Sequence, residues 1–272
     1  MNDLLYDKFL RLGMRESNPK APFWNRAICP KCNELKATKS KDFAYNMTTG
    51  QFICHKCMYK GNVLYLKKEE YKRPTYKKYE DSDIVETYLL SRGISHSTYK
   101  KLLNNKLIAH TNKKNIFSFL YWRDEELINF KLRSCDDQKI FSQQPDGEKI
   151  LFNINSVKGK KKAVLVEGEM SAIACIEAGL DEEYAILSLE NGAQREGSVD
   201  GKLRGLKNCY EQLIGVESWV IALDNDQAGV YTASEIIKYI GEHRCKIVTY
   251  PDGCKDPDDI INRNKRGQCA GY

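Results

Sequence analysis

Two kinds of residue cluster in this sequence could do chemistry: paired cysteines and grouped carboxylates. Cys29-Pro-Lys-Cys32 and Cys54-His-Lys-Cys57 are two C-x-x-C pairs with 21 residues between them. Each pair can turn two thiolates toward one ion, and two pairs complete a tetrahedral four-thiolate site for Zn²⁺. A redox dithiol is the competing use of C-x-x-C, but it usually comes singly and beside a βαβ pattern. His55 is a possible substitute ligand; placed outside the shell, it is exposed and free to touch a base. The carboxylates come in three sets: Glu167-Gly168-Glu169, Asp224-Asn225-Asp226 and Lys255-Asp256-Pro257-Asp258-Asp259. Acids gathered at one rim repel unless hard divalent cations sit between them, and Mg²⁺ is the usual answer. A lone D-x-D says little, because turns are rich in Asp; three acidic sets in order, each after an apolar run, say much more.

Those runs are the elements that must position the acids. Ala163–Val166 precedes the first set, Trp219–Leu223 the second and Lys246–Tyr250 the third. Tyr184–Leu189 is a further run, and Met170–Ala178, Leu203–Ile214 and Ala228–Ile240 read as helices between them. Apolar runs without strict alternation, separated by helices, predict a parallel sheet in an α/β layer. The carboxyl ends of its strands converge on one edge, where such folds bind ligands, and Gly168 permits a tight turn there. Upstream, the stretch Phe43–Cys54 reads as strand, turn at Thr48–Gly50 and strand, a hairpin that makes the cysteine unit a zinc ribbon. Lys31, Lys36, Lys39, Lys41, Lys56 and Lys60 surround it, with Phe43, Tyr45, Phe52 and Tyr59 interleaved. Cations for phosphates and rings for bases suit single-strand binding, while Phe43 and Phe52 are more naturally the ribbon's own core. The stretch 67–80 reads as a linker broken by Pro74. A helix is expected from Ile84, with Asp81–Asp83 as its capping region and Gly93 as its stop. Ile116–Leu120 and Leu127–Leu132 read as strands of a small mixed domain.

Charge divides the same way. Residues 1–80 carry net +9, residues 81–162 net +5 and residues 163–272 net −8. A basic front and an acidic back suit a protein that holds a polyanion at one end and metal ions at the other. No run of about 18 apolar residues exists, so no membrane span is expected. Met1–Leu10 mixes Asp3, Asp7 and Lys8 among its apolar residues and is no secretory signal. The ten cysteines are therefore expected in a reducing, cytoplasmic setting, binding metal or filling cores.

Taken together, these motifs resemble the Toprim family, in its phage primase–helicase and mitochondrial helicase branch. Leu165-Val-Glu-Gly-Glu-Met170 resembles the first motif, Ala222-Leu-Asp-Asn-Asp-Gln-Ala-Gly229 the second and Lys255-Asp256 the third. Asn191-Gly192-Ala193 is also similar to the family. Tyr88-Leu-Leu-Ser-Arg-Gly-Ile-Ser95 resembles the start of its primase catalytic region, and Phe130-Lys-Leu-Arg133 its basic, nucleotide-contacting strand. The resemblance implies an α/β Toprim fold, a parallel sheet flanked by helices, with an N-terminal zinc-ribbon β domain and a small mixed α+β subdomain between them. The implied boundaries are 1–66 for the ribbon, 67–80 for the linker, 81–162 for the N-terminal part of the primase core and 163–272 for the Toprim domain.

What the family implies for the site follows residue by residue. Glu167 would be a metal ligand or general base. Asp224, Asp226 and Asp256 would hold catalytic Mg²⁺ or Mn²⁺. Lys131 and Arg133 would hold the incoming ribonucleoside triphosphate. Ser171 stands where many relatives carry Asp, so Glu169 would compensate as a ligand. The implied activity is RNA primer synthesis on single-stranded DNA, with any helicase a separate partner, since the sequence has no P-loop. Two rivals use the same fold: a recombination mediator that clamps DNA without catalysis, and a Toprim nuclease. The separate basic strand and the ribbon favour nucleotide handling over both.

Overall fold

The computed structural model describes residues 3–15, 21, 23–35, 40–63, 71–136, 141–190 and 203–265. Lys36, Lys39 and Asn191-Gly192-Ala193 lie outside them. The chain divides into two compact units, residues 1–70 and most of 71–272.

In the first unit, α1 (Asp3–Arg11) precedes four antiparallel strands in the order β1 (Trp24–Ala27), β2 (Phe43–Asn46), β3 (Gln51–Cys54) and β4 (Lys60–Asn62). The short helix α2 (Pro30–Leu35) follows β1. The β2–β3 hairpin turns at Met47–Thr49. The Asn46 side chain accepts from the amides of Thr48 and Thr49 at 2.8 and 2.9 Å, and Gly50 takes φ +74°, the left-handed conformation that glycine adopts without a steric cost. A unit this small needs its rings inside. Phe43 and Phe52 are core, stacked at 5.3 Å between centroids. Tyr45 joins them fully buried, 5.0 Å from Phe9, so it is not a base-stacking ring. Tyr59 is half-buried, with the Lys31 ammonium 4.4 Å over its face.

The second unit starts inside the stretch that reads as a linker. Arg73 bonds Glu126 and Glu148, each at 2.8 Å, and Lys72 bonds Asp146 at 2.8 Å. Helices α3 (Asp83–Ser91) and α4 (His96–Asn104) follow. Gly93 at φ +81° ends the first of them as expected; its N-cap is Ser82, whose side chain makes no cap bond. Ser95 caps the second through Thr98 N. An antiparallel sheet then runs β5 (Ile108–His110), β6 (Ile116–Arg123), β7 (Glu126–Ser134), β8 (Phe141–Gln143).

Next comes the parallel sheet. Its order is β10 (Ala185–Ser188), β9 (Lys162–Val166), β11 (Ser218–Ala222), β12 (Cys245–Ile247), and every pair is parallel. Val166 pairs with both Ser188 and Ala222, so the three strands end level. The helices are α5 (Glu169–Glu177), α6 (Arg204–Asn208), α7 (Tyr210–Leu213), α8 (Gln227–Ile240) and α9 (Pro257–Lys265). The single helix expected over Leu203–Ile214 is two short helices parted at Cys209, next to the Asn208 carbonyl, which accepts from Arg123 at 3.0 Å. The fourth strand is shorter than its apolar run. It is an edge strand, and Ile247 is 66% exposed. Among the described residues no helix is long and apolar enough to cross a membrane.

Candidate active site and metal centre

Cys29 follows β1, Cys32 lies in α2, Cys54 ends β3 and Cys57 sits in the next turn. Their sulfur atoms all lie within 4.8 Å of one another. Cys29 Sγ is 3.7 Å from Cys57 Sγ, and Cys32 Sγ is 3.6 Å from Cys54 Sγ. Four thiolates around one ion at Zn–S distances of about 2.3 Å stand roughly 3.8 Å apart, so the set fits a tetrahedral ion. Burial and the neighbouring thiols push Cys29 well up and Cys32 to about 11; a bound cation reverses that cost by holding the thiolates. His55 is exposed and is not one of the four.

In the second unit a cavity of about 740 Å³ opens at the carboxyl ends of the parallel strands. Glu167, Glu169, Asp224, Asp256 and Asp258 line it with Lys131, Arg133, Arg92 and Lys255. The strands explain the convergence, since Glu167 is the residue after β9 and Asp224 is two after β11. Asp224 is pushed up to about 7, first by burial and then by the charges of Glu167 and Asp256. Asp256 is raised by burial, while its Oδ1 accepts from Asp259 N at 2.8 Å at the start of α9. Carboxylates that penalise one another in this way are a donor set suited to a hard divalent cation. They are spread around the cavity, however. Among the described residues, the four cysteines are the set with donor atoms drawn to within 4.8 Å.

Asp226 stands apart. It is exposed, does not line the cavity, and caps α8 through a 2.8 Å bond from Gly229 N. Gly229 is required there, because an added Cβ would collide with the Asp224 carbonyl. Gly168, by contrast, has φ −134° and open space where a Cβ would go, so packing within the protein does not demand it.

Glu169 is engaged within the protein. Its Oε1 accepts from Lys131 Nζ at 2.6 Å and from the Tyr121 hydroxyl. Lys131 and Arg133 project from the same face of β7, two residues apart, and Arg133 donates to the Tyr88 hydroxyl at 3.0 Å. Ser171 is buried in α5 and lines the same cavity.

Sequence reasoning missed three neighbours. Tyr121 is fully buried against Glu169. Arg92, from the Ser-Arg-Gly stretch, forms an ion pair with Asp258. Glu190, two residues past β10, is 1% exposed. The Arg92–Asp258 pair had a signal, since both residues lie in quoted motifs; Tyr121 and Glu190 had none.

A parallel sheet with acids at the ends of adjacent strands is the arrangement of the Toprim class. Residues 164–261 match the Toprim-like family model, and the second unit carries a Toprim domain. In sequence the chain is similar to the Twinkle homolog protein, chloroplastic/mitochondrial, of Arabidopsis thaliana, at 29% identity over 182 residues. It is similar also to the Primase homolog protein of the same plant, at 28% over 182 residues. Each match covers 64% of this chain, and the chain spans 25% and 52% of the two relatives. Among solved structures, the primase fragment of the bacteriophage T7 primase–helicase protein shares the fold. The TM-score is 0.54 and the identity 19%, over 86% of this chain and 93% of that one. The chain's likeness is thus to Toprim primases of the phage primase–helicase and mitochondrial helicase branch.

Proposed function

We propose that the chain is a DNA-dependent RNA primase, making short RNA primers on single-stranded DNA. The observation that supports this most is the shared cavity: Glu167, Asp224 and Asp256 line it together with Lys131 and Arg133, so metal-suited acids share it with cations suited to a triphosphate. In the reaction, the 3′-hydroxyl of one ribonucleotide attacks the α-phosphate of the next, and pyrophosphate leaves. Lys131 and Arg133 bind and orient the triphosphate. Glu167, Asp224 and Asp256 would hold Mg²⁺ or Mn²⁺, Asp226 would join them only through the carboxylate oxygen that does not cap α8, and Glu167 would act as metal ligand or as acceptor of the hydroxyl proton. When bound, the ion lowers the hydroxyl's pKa and neutralises leaving-group charge.

Glu169 pairs with Lys131; in this proposal it positions that lysine and remains the acid that would compensate for Ser171 at the ion. The four cysteines hold one structural Zn²⁺ that folds the ribbon, and the ribbon reads template bases with His55 and the exposed lysines. The boundaries 1–66, 67–80, 81–162 and 163–272, a cytoplasmic setting and a separate helicase partner complete the proposal.

One assay tests it. The chain is incubated with single-stranded DNA, four ribonucleotides and Mg²⁺ or Mn²⁺. Template-dependent RNA oligomers are expected. Cut DNA would assign the acids to a nuclease, and DNA binding without either product would assign the chain to the clamping class.

A further inference from the structure

Of the three acids read above as holding the ion, the parallel strands place two. Glu167 directly follows β9 and Asp224 stands two residues past β11. Asp256 comes nine residues after β12 ends at Ile247, and the stretch between has neither helix nor strand. Asp256 is nevertheless buried and lines the same cavity. Something other than a strand must hold it there.

Its local bonds join it to α9. Asp256 Oδ1 accepts from Asp259 N at 2.8 Å, and Asp259 Oδ2 accepts from Lys255 N at 3.1 Å. Bonds of this kind fasten a capping residue to its helix, so Asp256 moves with the first turn of α9. Where that turn stands decides where Asp256 stands.

The turn is anchored from the antiparallel side of the unit. Asp258, the second residue of α9, is 4% exposed and forms an ion pair with Arg92. The positive end of a helix favours an acid there but does not require that it be buried, and a buried carboxylate is costly without a counter-charge. Among the described residues the other oxygen of Asp258 has no hydrogen-bond partner, so Arg92 is what holds it. Arg92 is itself well founded. It is the C-cap of α3, and its N–H donates to the carbonyls of Tyr88 and Leu89. Leu89 is buried, and Tyr88 packs on Phe117 of β6 with ring centroids 6.0 Å apart.

We propose that Arg92 is a positioning residue for the ion site: by holding Asp258 it fixes the first turn of α9, and so stands Asp256 in the cavity with Glu167 and Asp224. This rests on the reading of those three acids as ligands of a divalent ion. Arg92 touches no reacting atom. Its role carries a sign that charge alone would reverse. Removing a cation from the wall of an acidic site should tighten binding of a second cation; removing a residue that positions a ligand should weaken it.

The test measures Mn²⁺ affinity of the nucleotide-free full chain, zinc left in place, from the electron paramagnetic resonance signal of free Mn²⁺. Arg92→Ala and Arg92→Met are both made, because Met keeps an apolar stem for packing should Ala fail to fold, and thermal melts establish which variants are folded. Each folded variant is expected to bind Mn²⁺ about tenfold more weakly than wild type. Arg92→Lys, which can keep the ion pair through a single donor, should lie within about threefold of wild type. Asp224→Asn and Asp256→Asn are the references and should lose at least as much affinity as Arg92→Met. If the references lose Mn²⁺ while folded Arg92→Met binds it as well as wild type or better, the role of Arg92 is overturned alone. A raised nucleotide KM in primer synthesis at unchanged Mn²⁺ affinity would make Arg92 a phosphate-binding cation instead. If both references bind Mn²⁺ as wild type does, the metal reading of the cavity falls and this inference with it.

Discussion

Lys131 Nζ lies 2.6 Å from Glu169 Oε1, joining β7 of the antiparallel sheet to the first turn of α5 beside the parallel sheet. The pair is largely buried, with side-chain exposures of 20% and 10%, and the Tyr121 hydroxyl donates to the same oxygen. The strand that would hold the nucleotide is thereby tied to the helix that follows Glu167.

Removing one member of such a pair leaves the other as an uncompensated charge. Lys131→Ala is expected to lower unfolding stability by about 3 kcal/mol, while replacing both partners by apolar residues of similar size is close to neutral. Urea denaturation of Lys131→Ala, Glu169→Gln and Lys131→Met/Glu169→Leu checks this. A double variant as unstable as the sum of its singles would show the pair to be uncoupled.

Asp224 contributes to the pH dependence of the metal-free protein. Burial and the charges of Glu167 and Asp256 raise its carboxyl from an ordinary 3.8 to about 7. A raised acid binds its proton more tightly in the folded state. Its folding contribution is therefore greatest below the unfolded pKa and is lost as pH rises through the window from about 4 to about 7. Metal-free protein should thus be less stable at pH 8 than at pH 5, and Asp224→Asn should flatten part of that slope. Mg²⁺ should restore wild-type stability at pH 8 by mass action and do so less for the variant, while synthesis by Asp224→Asn falls at least a hundredfold. Thermal melts in EDTA and in Mg²⁺ at both pH values measure the first part. A melt of Asp224→Asn identical to wild type at pH 8 would remove Asp224 from the repelling cluster.

The four thiols make a sharper expectation. Protein purified without chelators should contain one zinc per chain by elemental analysis, and a strong thiol-competing chelator should unfold residues 1–70 while leaving the second unit folded. Cys29→Ser should lose the metal, since Cys29 is one of the four donors and is buried. Zinc-free protein with a fully protected ribbon in hydrogen exchange would contradict the assignment.

How much of this was legible in the sequence follows from the range of each interaction. The cysteine site was legible because C-x-x-C is a local device, and the hairpin between the pairs brings them together without help. The rim acids were legible because each set follows an apolar run, and a parallel sheet collects the ends of its strands. Lys131 and Glu169 are 38 residues apart, and Arg92 and Asp258 are 166 apart; no periodicity reports such pairings. Tyr45 looked like a base-stacking ring because alternation of lysines and aromatics is the same pattern whether the rings face solvent or a small core. The break at Cys209 has no local signal either: Arg123, which bonds the neighbouring Asn208 carbonyl, comes from a distant strand.

The two aspartates of Asp224-Asn225-Asp226 are the last case, because spacing alone makes them equivalent and the structure does not. Asp224 is half-buried in the cavity, whereas Asp226 is exposed and caps α8 through Gly229 N. Asn caps a helix about as well as Asp, and Ala does not, the difference being about 1 kcal/mol. Asp226→Asn should therefore leave stability unchanged, and Asp226→Ala should lower it by about that amount. Synthesis separates the cap from a metal role. If Asp226 only caps, Asp226→Asn keeps most activity while Asp224→Asn loses it. If Asp226 also turns its second oxygen to an ion, Asp226→Asn loses activity at unchanged stability and is partly rescued by Mn²⁺, which binds nitrogen and oxygen donors more tightly than Mg²⁺ does. Denaturation midpoints and primer yields for the three variants, measured side by side, decide between these outcomes. Loss of stability in Asp226→Asn equal to that in Asp226→Ala would show that the cap depends on charge, at the positive end of the α8 dipole, rather than on the hydrogen bond to Gly229.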